Sequence, residues 1–403
     1  MLAFIISLIV PLLIWGPFFP DLIVSSSSLV FLVYLIRKKE FYYFNNKVLI
    51  IFFIFCIYCI LVSIFIAKNT LLSFESSLFY FRIGIFACLI WHLIDKNKKI
   101  LSYFYYLLAI CFSALIVDGY IQFFSGTNII GLTKYGARLS SFFGDELILG
   151  SYLSRLFPLL FALFLLKKKN QTELYFMGIL FILLSGLIYI SGERAAFYLF
   201  ILSYAFIIFF LEKFGKLKIV LVVFSLILIG VLTFNLNEVK ERMISSPVNT
   251  IKKSIFTPEH DSLIRTAFNM FLDKPILGHG PKMFRVICKD EKYITGVSPC
   301  MTHPHNFYVQ LLAETGIIGF SFLLSAFAYV LYCAYRQFKS IVLIQKRYLT
   351  DYQVCLLAGI LITVWPLTTN GNFFHNWLMI VYSLPVGFYL HSIYGKNRKN
   401  ISF

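Results

Sequence analysis

The sequence lacks what a soluble domain needs. Charged residues make up 14% of its 403 residues, against 59% hydrophobic and 19% aromatic, and the mean hydropathy is +0.81. No soluble fold exposes that much apolar surface, so the chain reads as an all-α polytopic membrane protein. It has no internal repeat and no low-complexity region. The missing repeat argues against a transporter built from related halves with ionisable groups at the midplane. No Asp-x-Asp occurs, which speaks against metal-assisted sugar-nucleotide chemistry. The first apolar run carries neither Lys nor Arg and no small-residue cleavage site, so it is expected to stay as an anchor.

Acid is also scarce, with 19 Asp and Glu against 36 Lys and Arg. A net charge of +17 suggests nucleic acid, but the basic residues do not form a stripe with interleaved aromatics. They sit in short clusters between apolar runs, as in loops held on the cytoplasmic side of a membrane. About 12 transmembrane helices are expected, beginning near Leu2, Leu22, Val48, Ser77, Ile100, Leu147, Leu174, Ala195, Ile219, Phe307, Gln353 and Trp377. The first two, joined at Pro20-Asp21, are expected to form a tight hairpin. Among the short loops, one side collects 20 Lys and Arg and the other 4. This places both termini in the cytoplasm and the one long loop outside.

The chain thus divides into a transmembrane bundle over 1–236, an extracytoplasmic loop over 237–305, and further spans over 306–403. The loop is the only long polar interval and holds four of the seven histidines, His260, His279, His303 and His305. Asp261 to Leu272 has the pattern of an amphipathic helix with an acidic start, ended by the breakers of Lys274–Pro281. Six cysteines lie in apolar runs, where a thiol acts as a small hydrophobe, Cys56-x-x-Cys59 included. Cys288 and Cys300 fall in the polar loop. They are expected to pair as a disulfide if that loop meets an oxidising compartment.

Arg138, Arg194, Arg265 and His305 all map to the side of the long loop, and arginine suits bidentate phosphate recognition. Arg82 and Arg155 lie inside apolar runs, where structural ion pairs are expected to hold them. His303 and His305 flank Pro304 at the mouth of a helix. A His-x-His pair can bind metal, but no further ligands follow at a recognised spacing, nor does Glu259-His260-Asp261 supply them. No metal or other cofactor is called for. A histidine is better cast as a base toward a hydroxyl, and His305 takes that role with His303 as its rival.

Ser191-Gly192-Glu193-Arg194 opens a span. Arg265 follows, with Pro275-Ile-Leu-Gly278-His-Gly280-Pro281-x-x-Phe284, and then His305-Asn306-x-x-x-Gln310-x-x-x-Glu314-x-Gly316. This ordered set resembles the O-antigen ligase and polymerase family of bacterial membrane proteins, most densely from about 190 to 320. Glu193 departs from the family, whose turn often has Ser there. The resemblance implies metal-independent transfer of a glycan from an undecaprenyl diphosphate carrier, outside the inner membrane. It also implies that Arg194 and Arg265 meet the donor and that His305 acts on the acceptor. Arg138 and His303 are expected among the substrate-binding residues. Ligation to lipid A-core is favoured, joining of lipid-linked repeat units is the alternative, and transport of a lipid-linked oligosaccharide comes third.

Overall fold

The computed structural model describes residues 1–167, 170–251, 256–396 and 398. Of the short-loop and tail cations counted above, Lys168, Lys169 and Lys399 lie outside the described residues, as do Lys252 and Lys253 of the long loop. Those residues contain no strand, only helices and two isolated bridges. The first helices are α1 (Leu2–Ser7), α2 (Ile9–Trp15), α3 (Phe18–Lys38), α4 (Lys47–Phe65), α5 (Thr70–Leu78), α6 (Arg82–Lys96) and α7 (Lys99–Ser125). Next come α8 (Leu149–Leu166), α9 (Gln171–Ile190), α10 (Arg194–Phe210) and α11 (Leu217–Asn235). Short pieces fill the long loop: α12 (Asn237–Lys240), α13 (Ser246–Ile251), α14 (Pro258–Asp273) and α15 (Phe284–Ile287). The chain ends in α16 (Phe307–Val342), α17 (Asp351–Thr363) and α18 (Asn376–Tyr394).

Nine helices among the described residues are long and apolar enough to cross a membrane. The other three apolar segments expected from sequence occur in place but shorter, at Leu2–Trp15, Arg194–Phe210 and Asp351–Thr363. The first turn differs from expectation. It falls at Gly16 and Pro17, so Pro20 and Asp21 sit in the first turn of a 21-residue helix. Proline is tolerated there because the first amides of a helix have no intrahelical acceptor. The span expected from Phe307 is also broken, because Gly316 leaves helical geometry at φ 61.

Polar residues at the apolar boundaries start the helices. Asn46, Asn69, Asn170, Thr257, Asn306 and Thr350 each accept an amide of the following first turn. Close helix contacts need small residues: a Cβ at Gly387 of α18 would meet Ile90 Cβ of α6 at 2.6 Å.

The loops sort into two sets by their mutual bonds. On one face Glu212 donates its backbone N–H to Asp351 and Lys396 donates to Asp95. On the other the segments 126–148, 191–193, the described parts of 237–306 and 364–375 are stitched together.

The two arginines inside apolar helices have separate solutions. Arg82 makes a bidentate pair with Asp21 and donates to Ser25 Oγ at 2.7 Å. Among the described residues Arg155 has no carboxylate partner, contrary to expectation. Its guanidinium donates to Ile362 O and to Asn370 Oδ1 and lies 3.9 Å from the Tyr382 ring centre. Carbonyl, amide and ring quadrupole replace the missing acid.

Candidate active site

The loop-bearing face begins with a rigid support. Asp118 and Gln122, both fully buried on α7, take the amides and hydroxyl of the next loop: Ile129 N and Ser141 Oγ to Asp118, and Ser140 N and Ser141 N to Gln122. Those bonds hold the loop so that Leu139 N reaches Ser191 O. Gly192 then packs against the backbone of that loop, where a Cβ would lie 2.3 Å from Ala137 O; its φ of 74 needs glycine as well.

Around this turn three guanidinium groups gather. Arg138 donates to Leu147 O at 2.7 Å, and Arg194, the first residue of α10, donates to Ser246 Oγ at 3.0 Å. Arg242, in the π-turn Glu241–Ser245, donates from Nε to Gly192 O at 3.2 Å. Burial and then the charges of Arg194 and Arg138 hold the Arg242 guanidinium below its ordinary value. Among the described residues, no carboxylate forms an ion pair with any of the three. Nε of Arg138 and Nε of Arg194 are buried without a partner. Arg242 was not singled out in the sequence, because it stands among many loop cations and no local pattern marks it.

Glu193 does not neutralise the arginines directly. Its carboxylate accepts from Gly150 N, Ser151 N and Ser151 Oγ at 2.6, 3.2 and 2.6 Å, which caps the start of α8. A helix N-terminus favours an anion, and this gives the acid at position 193 a structural partner.

The histidines form the second cluster. His303 and His305 have ring centres 4.1 Å apart, and His260 of α14 meets His305 edge-on at 5.3 Å. His305 adopts a left-handed backbone at φ 57, an uncommon state for a side chain with Cβ. Asn370 N secures it by donating to His305 O at 2.8 Å. Asn306 caps α16 through Tyr308 N and Val309 N, and its own amide donates to Pro366 O and Thr368 O. Burial pushes the His303 imidazole down to about 3, helped by the neighbouring His305 and Arg285. Burial and His260 also lower His305. Nε2 of His303 is buried without a partner.

One segment joins the two clusters. Trp365 Nε1 donates to Tyr198 Oη, one turn below Arg194, and five residues on Asn370 holds His305.

The Pro275–Pro281 and Gln310–Gly316 motifs turn out to build a joint. His279 N and Gly280 N donate to Ala313 O and Glu314 O, and Ile317 N donates to Pro275 O. Gly316 permits that contact, since a Cβ would lie 2.2 Å from Ile276 O. The Glu314 carboxylate accepts from Phe284 N and Gln310 Nε2. This joint fixes α15 beside the start of α16. His279 is structural: its Nε2 pairs with Met270 O, away from the other three histidines.

A disulfide joins Cys288 to Cys300, with Cα atoms 5.2 Å apart. Each cysteine stands three residues from a residue of the site, Arg285 before Cys288 and His303 after Cys300, so the link draws Arg285 toward the histidines. Nε of Arg285 is buried without a partner. Sequence reading gave no role to Arg285.

Arg265 is not brought into either cluster. It pairs with Asp261 at 2.7 Å, and its side chain is 64% exposed. Five residues after His260, it lies about 140° around α14 from the face that meets His305.

Residues 179–324 match a family model described as O-Antigen ligase. No curated protein matches the chain. The matched region takes in the turn at Arg194, the long loop, the histidine pair and the joint at Gly316.

Proposed function

We propose that this chain, whose residues 179–324 match a family model described as O-Antigen ligase, transfers a glycan from an undecaprenyl diphosphate carrier onto an acceptor hydroxyl. The favoured acceptor is lipid A-core. The reaction runs on the periplasmic side of the inner membrane, with both termini in the cytoplasm. The observation that carries the reading is the set of Arg138, Arg194 and Arg242, three guanidinium groups without an ion-paired carboxylate around one turn. Like charges held together at partly buried positions call for an anion, and a lipid diphosphate supplies one.

In this reading the acceptor oxygen attacks the anomeric carbon of the donor sugar, and the bond from that carbon to the phosphate oxygen breaks. The departing diphosphate keeps the electron pair, and the arginines stabilise the charge it gains. His305 takes the acceptor proton on a ring nitrogen. His303 serves as a neutral partner that positions the His305 ring, because a base as weak as about 3 accepts protons poorly. Arg265 reaches the donor only by leaving Asp261, so it is assigned a secondary, approach-side contact.

The test uses purified full-length protein, with lipid-linked glycan and rough lipopolysaccharide extracted from a strain lacking the gene. Transfer onto the lipopolysaccharide, abolished by Arg194→Ala, is the expected result. In the deletion strain, loss of all O-chain with carrier-linked polymer accumulating fits ligation. A single capped repeat on the core would move the assignment to repeat-unit joining. Normal banding together with no transfer in vitro overturns the reading.

A further inference from the structure

A cavity of ≈ 340 Å³ opens on the loop-bearing face between α3, α5, α6, the start of α18 and the turn carrying Lys282. That volume lies at the lower end of ligand pockets. Its floor is the Arg82–Asp21 pair, already satisfied within the fold. Above it stand Glu75, Ser76 and Asn376, with the half-exposed ring of Phe79 at the side. Lys282 enters from the loop with a left-handed backbone at φ 59, and among the described residues its ammonium makes no ion pair. Burial and then Arg285 hold that ammonium below its ordinary value, while the nearby Glu75 partly offsets them.

We propose that this cavity is the subsite that binds the acceptor glycan, with Glu75, Ser76, Lys282 and Asn376 bonding its hydroxyl groups. The inference rests on the glycosyl-transfer reading and names where its acceptor sits. Four features select a sugar over other ligands. The wall supplies both donors and acceptors, through Lys282, Asn376, Ser76 and Glu75, as a polyol requires. Asp21 and Glu75 balance Arg82 and Lys282 in the lining, so there is no excess of positive charge to recruit a phosphate headgroup. A lipid chain would strand the polar wall without partners. Phe79 adds a flat apolar face on which a pyranose ring can stack.

The cavity is tied to the reacting groups by short covalent paths. Lys282 lies three residues before Arg285, which the Cys288–Cys300 disulfide draws toward His303. Asn376 directly follows His375, whose ring feels the charges of both Lys282 and Arg285. A glycan seated between Lys282 and Asn376 therefore extends toward the histidine pair, where its free hydroxyl meets the base. The arginines around Gly192 remain clear for the donor.

The experiment measures transfer by full-length protein from labelled lipid-linked glycan. The acceptor probe is rough lipopolysaccharide, or the delipidated repeat glycan if transfer runs only between lipid-linked units. Asn376→Ala and Glu75→Gln are each expected to raise the acceptor KM about tenfold, the size of one lost hydrogen bond to a charged or well-placed group. Donor KM should stay within about twofold for both. Ser76→Trp fills the cavity and should raise acceptor KM further, with the protein still extracted as a folded monodisperse species. An acceptor KM unchanged in all three variants, or a donor KM rising in parallel, overturns the subsite while leaving the transfer reading in place. Wild-type protein that transfers to neither probe sinks both.

Discussion

Two sets of arginines in this chain teach opposite lessons. Arg82 and Arg155 lie within apolar helices and are fully answered by the fold, one by Asp21 and Ser25, the other by two oxygen acceptors and the Tyr382 ring. Arg138, Arg194 and Arg242 lie at the loop-bearing face, bond only neutral oxygens and crowd one another. An arginine set within an apolar helix is costly to bury unpaired, so its partners are built into the fold. One at a watered boundary can stay open for a ligand. The histidines divide in the same way: His279 is bonded to Met270 O, whereas a buried ring nitrogen of His303 has no partner among the described residues.

The strongest test of that division is His305. His305→Ala is expected to cost about 10²- to 10⁴-fold in transfer rate, the usual loss for a general base. His303→Ala should be milder, and donor binding should persist in both. Measured rates for His305→Ala and His305→Gln within about threefold of wild type would leave His305 a backbone element only, against the loss expected for a missing base.

Next comes the open arginine set. Arg194→Ala is expected to lower kcat about 10²- to 10³-fold, as for loss of one fixed donor to a developing anion. Arg194→Lys should do nearly as much damage, because an ammonium lacks the planar fork. Arg242→Ala should resemble it, and Arg265→Ala should have a smaller effect. Arg82→Ala should act differently, reducing the folded yield in membranes and raising the acceptor KM, because the pair also lines the proposed acceptor cavity, while kcat at saturating acceptor stays near normal. Equal turnover loss in Arg82→Ala and Arg194→Ala would erase the distinction between the two sets.

Acid should expose the histidines. Burial lowers His305, so the ring is neutral and able to accept a proton at pH 7. Transfer should then fall only as pH drops below the ordinary histidine value of about 6.5. Stability follows the same sign: the unfolded chain takes up protons below about 6.5 that folded His303 refuses until about 3. The stability these groups contribute is full above that window and declines as pH falls through it. A rate that rises on acidification to pH 5.5 would contradict the base assignment.

The smallest effect is expected at the disulfide. Cys288→Ser with Cys300→Ser should lower loop stability by roughly 2 to 3 kcal/mol through a looser unfolded loop. Protease cleavage within 282–303 should quicken, with donor KM unchanged. Alkylation of both thiols in native membranes under denaturing, non-reducing conditions would show that the link does not form there.

The sequence by itself determined the α-helical membrane fold, the position of each apolar segment, the polar loop and the pairing partner for each loop cysteine. These are local properties: an apolar run must bury its backbone bonds within itself in lipid, and only a helix does so within one segment. It also supplied Arg138, Arg194 and the histidine pair as candidates. Tertiary structure decided which of them meet. Arg242 joined the corner through Gly192, 50 residues away. Arg265 was turned outward by its place around α14, and Glu193 was claimed by the start of α8, 42 and 43 residues upstream. Asp21 found Arg82 across 61 residues, and Arg155 found Asn370 across 215. Periodicity and loop charge carry no record of such pairings, because each depends on how two distant helices rotate and stack, and that is fixed only when the whole bundle packs.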